Sequence, residues 1–131
     1  MGVTRRPRDK RSETVGNVLD WGLERDPTHE ALVSIDARLT YEALDFAVER
    51  AASALSTLGI GKDDVVAVSL PNESAVVVTF HALMRLGAVW VGVNQNLAPP
   101  EKAFILHDSE AQFLLTNPGF AASLADDLDV P

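Results

Sequence analysis

A length of 131 residues suffices for one domain with a modest core, and an apolar content of 47% is that of an ordinary globular chain. The net charge of −8 conceals a basic start. Arg5, Arg6, Arg8, Lys10 and Arg11 precede a remainder in which six basic residues face eighteen acidic ones, a surface that repels nucleic acid and anionic membranes. With no cysteine, disulfides, thiolate metal sites and cysteine nucleophiles are excluded, and a cytoplasmic location is the expectation.

Residues 1–12 lack apolar anchors and aromatic residues, and are predicted to form a disordered basic leader ahead of one domain over 13–131. Val15, Val18, Leu19, Gly22 and Leu23 share one stripe, which predicts a helix over 14–25 that Asp26-Pro27 stops. A strand over 31–35, a turn at 36–37 and a return strand over 38–40 follow. Thr40 suits an N-cap for a helix reaching Leu58, with Leu44, Val48, Ala51, Ala52, Leu55 and Leu58 inward and Gly59 and Gly61 closing it.

The run over 65–70 is apolar on both alternating faces, as in a strand covered from both sides. Next come a helix over 74–86, a strand over 88–93, a helix opened by Pro99 or Pro100, a strand over 112–116 and a final helix over 120–128. This alternation predicts an α/β fold, a partial three-layer parallel sheet with flanking helices. The apolar stretch over 75–93 is interrupted by His81, Arg85 and Gly87, so no membrane span is expected.

Few residues offer chemistry. His29, His81 and His107 are dispersed without metal-ligand spacing, and His81 lies on an apolar helix where packing explains it. Gly59-Ile60-Gly61 follows a helix instead of a strand, which is the place of a C-cap and not of a phosphate loop. Asp63-Asp64 fall in the turn entering a strand, at its amino end. Ser69 and Ser74 have no accompanying histidine and acid to make a hydrolase. Asn72 and Asn94 are placed at the carboxyl ends of parallel strands, on the rim where open sheets bind ligands. Asparagine also caps helices and closes turns, so a structural role stands beside the ligand-contact reading. No catalytic, cofactor-binding or metal-ligating residue is assigned.

Leu39-Thr40-Tyr41-Glu42-Ala43-Leu44 and Leu58-Gly59-Ile60-Gly61-Lys62-Asp63-Asp64-Val65-Val66-Ala67 resemble the first core motif of adenylate-forming enzymes. Leu70-Pro71-Asn72, Leu86-Gly87-Ala88-Val89, Val93-Asn94-Gln95-Asn96-Leu97, Glu101 and Ile105-Leu106-His107-Asp108-Ser109 continue it in order, and look most like acyl-CoA synthetases. The resemblance covers about 14–116. Ala43 precedes Leu44 where the family often has Glu-Leu, Asp63 stands where Gly-Asp is common, and Asn96 occupies a loop position that is often basic near the CoA nucleotide. Asn96 therefore joins Asn72 and Asn94 as a candidate rim residue.

The resemblance implies the N-terminal subdomain of an ATP-dependent carboxylate–CoA ligase. The complete enzyme would use ATP, CoA and magnesium. The family's phosphate loop with its lysine, its aromatic-Thr-Glu segment, its ribose-binding aspartate and its catalytic lysine are not found in these residues, so none of the three is expected to bind tightly to this chain and the isolated chain is expected to be inactive. Its expected partner is the remainder of the ligase or a second copy. A self-standing α/β binding or regulatory module, or an interaction subunit docking on a separate catalytic chain, are the alternatives.

Overall fold

The computed structural model describes residues 14–117, so the leader over 1–12 and the helix expected over 120–128 lie outside the described residues. Along the chain run α1 (Asp20–Arg25), β1 (Glu30–Val33), β2 (Arg38–Thr40), α2 (Tyr41–Thr57), β3 (Val65–Ser69), α3 (Ser74–Leu86), β4 (Val89–Gly92), α4 (Pro99–Asp108) and β5 (Phe113–Thr116). β1 and β2 form an antiparallel hairpin, while β3 lies between β4 and β5 and is parallel to both.

The helix expected over 14–25 is broken. A 3-10 turn at Val15–Asn17 precedes a separate α1, and Val15 and Val18 are exposed instead of facing inward. The reason is tertiary contact. Gly16 sits so close to the end of α3 that a Cβ there would lie 2.9 Å from the Met84 carbonyl oxygen, so the segment follows the surface of α3 instead of its own helical period. Ser34 and Asp36 shorten the first strand to Val33, because the Ser34 hydroxyl donates to Asp36 at 2.6 Å and draws the chain into its turn.

α2 begins as expected, with Thr40 Oγ1 accepting the Ala43 amide at 3.1 Å. Leu44, Val48, Ala52 and Leu55 are buried at helical spacing. Leu58 is not, at 66% exposed. It falls on the cap after the last helical residue, and Ile60 takes the inward place once Gly59 has turned the chain at φ +94°. Gly87 ends α3 in the same left-handed region, φ +74°, and lets the Ala88 amide reach back to the Leu83 carbonyl at 3.0 Å.

β3 is buried on both faces, as its apolar run predicts. Val66 and Val68 join the larger core with Leu44, Val48, Leu55 and Leu83 from α2 and α3. Ala67 points the other way, into a smaller cluster with Val93 and with Ala103 and Leu106 of α4. Helices thus cover both faces of the sheet, giving the three layers of an α/β fold. Among the described residues no helix is long and apolar enough to cross a membrane.

Candidate functional site

Because α3 and α4 lie on opposite faces, the chain leaves β3 toward one side of the sheet and leaves the adjacent β4 toward the other. Neighbouring parallel strands whose exits diverge open a crevice at their carboxyl ends, where open α/β sheets hold ligands. The walls here are the loops over 70–73 and 93–98. The rim candidates all fall on them: Asn72 in the first, Asn94 and Asn96 in the second, each exposed.

Their surroundings differ. Asn94 Oδ1 accepts the Asn96 amide at 2.8 Å, closing a local turn, so its oxygen is committed to structure. The side chains of Asn72 and Asn96 make no hydrogen bond among the described residues. Behind them, the Ser69 carbonyl ends β3 and accepts two side chains, Thr116 Oγ1 from β5 at 2.7 Å and Gln95 Nε2 from the second loop at 3.4 Å. Ser69 is 0% exposed and its Oγ has no partner among the described residues.

A polar contact beside these loops has no signal in the sequence. Asp36, at the tip of the β1–β2 hairpin, reaches the first residue of α3. Its Oδ1 accepts the Ser74 amide at 2.9 Å, and its Oδ2 accepts the Ser74 hydroxyl. With Ser34 also donating to Oδ1, the carboxyl is held down to about 2, chiefly by the Ser34 and Ser74 hydroxyls and then by the Ser74 amide. The Ser34-x-Asp36 spacing signals a turn, but nothing in the sequence couples that turn to a helix 38 positions later. Thr116 and Gln95 were equally silent.

The other candidates take structural places. Asp63 has φ +67° and Asp64 Oδ2 accepts the Gly61 amide at 2.8 Å, both in the turn at the amino end of β3. His29 stacks on Tyr41, His107 is exposed on α4, and His81 is half-buried on α3 against the edge of Phe80. Burial first, and the Arg85 charge second, keep His81 below the usual histidine range. Among the described residues no three His, Asp or Glu side chains come together to hold a metal ion. An open cleft of about 420 Å³ lined by Trp21, Gly22, Arg25, Asp26, His29 and Tyr41 shares no residue with the rim.

The profile of a family described as AMP-binding enzyme matches residues 19–130. The chain belongs to that family. It is 40% identical over 82 residues to a long-chain-fatty-acid–CoA ligase, FadD13, of Mycobacterium tuberculosis, covering 63% of this chain and 16% of that one. It is 30% identical over 122 residues to a 3-hydroxybenzoate–CoA/4-hydroxybenzoate–CoA ligase of Thauera aromatica, covering 91% of this chain and 23% of that one. In fold it is similar to the N-terminal domain of FACL13 from Mycobacterium tuberculosis, with TM-score 0.78, 35% identity, and coverage of 86% of this chain and 29% of that one. The chain thus spans less than a quarter of the length of those two ligases, and its fold is that of the N-terminal part of adenylate-forming enzymes.

Proposed function

We propose that this chain is the N-terminal portion of a cytoplasmic, ATP-dependent carboxylate–CoA ligase, which makes an acyl-adenylate and then a CoA thioester. The observation that carries the reading is the family match over residues 19–130, whose relatives include CoA ligases. On this reading the chain contributes a scaffold and a ligand rim, Asn72, Asn94 and Asn96, and its partner is the remainder of the ligase.

The described residues do not fit a triphosphate or magnesium. The first amide of α3 is taken by Asp36, α4 opens with Pro99 and Pro100, which have no N–H, and no three acidic or histidine side chains converge. The adenylation chemistry is accordingly assigned to segments of the full enzyme other than these. ATP–pyrophosphate exchange with a panel of fatty and aromatic acids tests the proposal. The isolated chain is expected to give none above blank, and a chimera joining it to the remaining segments of a related CoA ligase is expected to restore it. Carboxylate-dependent exchange by the pure isolated chain would overturn the reading.

A further inference from the structure

Away from the rim, the cleft between α1, the turn over 26–29 and the start of α2 is rich in hydrogen-bond donors. Its volume of about 420 Å³ falls within the range of ligand sites, about 300–1,000 Å³. Trp21, 43% exposed, carries the Arg25 guanidinium over its ring at 4.8 Å. The His29 and Tyr41 rings lie 25° from parallel, with centroids 6.5 Å apart. These four residues line the cleft, and their side chains make no hydrogen bond or ion pair among the described residues. The indole and the guanidinium can only donate. Asp26 adds an acceptor. Its Oδ1 takes the Thr28 amide and hydroxyl at 3.1 and 2.9 Å, and its Oδ2 has no partner among the described residues.

Two features narrow the occupant. Aromatic walls with free donors fit a row of carbonyl acceptors, the mode in which aromatic grooves hold proline-containing segments. The charge disfavours a small anion, because between Asp20 and Glu30 four carboxylates stand against Arg25 alone. Even with Glu30 tied to Arg38 at 2.6 Å, Asp20, Glu24 and Asp26 remain. A fitting segment is therefore extended, holds a proline and carries positive charge.

The chain's own first residues have this composition. Arg5-Arg6-Pro7-Arg8 sets one proline among three arginines, and the proline ring holds its φ near −65°. The reach suffices. Val15–Asn17 form a 3-10 turn, Val18 and Leu19 stay in the right-handed helical region and α1 follows, so Thr14 and Trp21 are about 14 Å apart at about 2 Å per residue. Arg8 stands six residues before Thr14, a stretch that spans roughly 20 Å when extended.

We propose that this cleft seats the chain's own leader, with Pro7 against the aromatic wall and the flanking arginines toward Asp26 and the carboxylates of α1. The leader has no aromatic or apolar anchor of its own, and Trp21 and Tyr41 supply one. So seated, it is a strap across α1 and the start of α2. The proposal does not depend on the ligase reading.

The test follows the Trp21 indole N–H resonance in the full chain. Wild type is compared with the triple variant Arg5→Gln, Arg6→Gln, Arg8→Gln and with Pro7→Gly. The resonance is expected to shift in both variants, while the amides of α3 and of the sheet stay put and report an intact fold. A synthetic peptide of residues 1–12 should return the resonance of the triple variant to the wild-type position. The same peptide should leave the wild type unmoved, because its cleft is already filled. An identical Trp21 resonance in the wild type and both variants would overturn the proposal. So would a peptide that moves the wild-type resonance as far as the variant's, which would mark an empty cleft open to a separate polypeptide. A wild-type position that changes on dilution would put the leader of a second copy there, and would overturn the intramolecular strap.

Discussion

Asp36 shows how much one carboxylate at a loop tip can organise. Because its folded value near 2 lies below the unfolded 3.8, its bonds contribute fully above about pH 4 and are lost as the pH falls toward 2. Urea midpoints measured across that window should fall for the wild type, and the part due to this group should vanish in Asp36→Asn. Gly22 makes the opposite kind of demand, for absence of atoms. A Cβ there would lie 2.2 Å from the Tyr41 ring, so Gly22→Ala must push α1 off α2. The expected cost is about 1–3 kcal/mol, the range for overpacking a close contact, read from the shift in urea midpoint at unchanged slope. A loss below a few tenths would show that α1 is not held by that ring.

Between elements, the contact of α2 with α3 depends on Arg85, whose side chain is 14% exposed and which bonds to Asp45 at 2.7 Å and to Glu49. Replacing Arg85 by Leu should cost about 1.5–3 kcal/mol, the range for charge-assisted bonds. Asp45→Ala should cost more than Glu49→Ala, because Glu49 is largely in water. A double-mutant cycle between positions 45 and 85 checks the coupling. One turn earlier on the same helix, His81 is held below its usual value, so the unfolded chain takes up that proton first. Its contribution is complete above about pH 6.5 and declines as the pH drops below it. His81→Gln should flatten the pH dependence of stability just under pH 6.5, and an unchanged slope would exclude His81 as its source. These same elements mark the limit of reading the chain as a string. α2 was legible because Leu44, Val48 and Leu55 repeat at one period and Thr40 announces the start. The break before α1 was not, since it answers to the Met84 carbonyl far along the chain. The rim asparagines could be placed because strand ends are local, whereas the Asp36 clasp and the two donors to the Ser69 carbonyl join distant positions.

For the molecule as a whole, the two faces of the sheet are unequal. α2 and α3 bury the larger core, but on the other face α4 covers a smaller cluster of Ala67, Val93, Ala103 and Leu106, with Val91, Ile105, Ala111 and Leu114 half-buried against it, and its Phe104 is 68% exposed. Surfaces of this kind bind other apolar surfaces. The isolated chain is expected to bind a hydrophobic dye, to self-associate and to unfold over a broad range, with Phe104→Ser reducing the association. A monomer with a sharp transition and no dye binding would show that this face needs no cover. The α/β class was legible from Val65 onward because β3 is apolar on both faces, while the strand order was not, since nothing local says which neighbour lies on which side. That order, with β3 in the middle, has a consequence for synthesis. The central strand emerges first, meets β4 only when Val89–Gly92 follow, and gains its second neighbour only with Phe113–Thr116, 47 positions after its own partners. Until then one of its edges stays open while the ribosome works, the interval in which a neighbouring nascent chain can pair with it. The time to translate those residues sets how long that edge of β3 stays open.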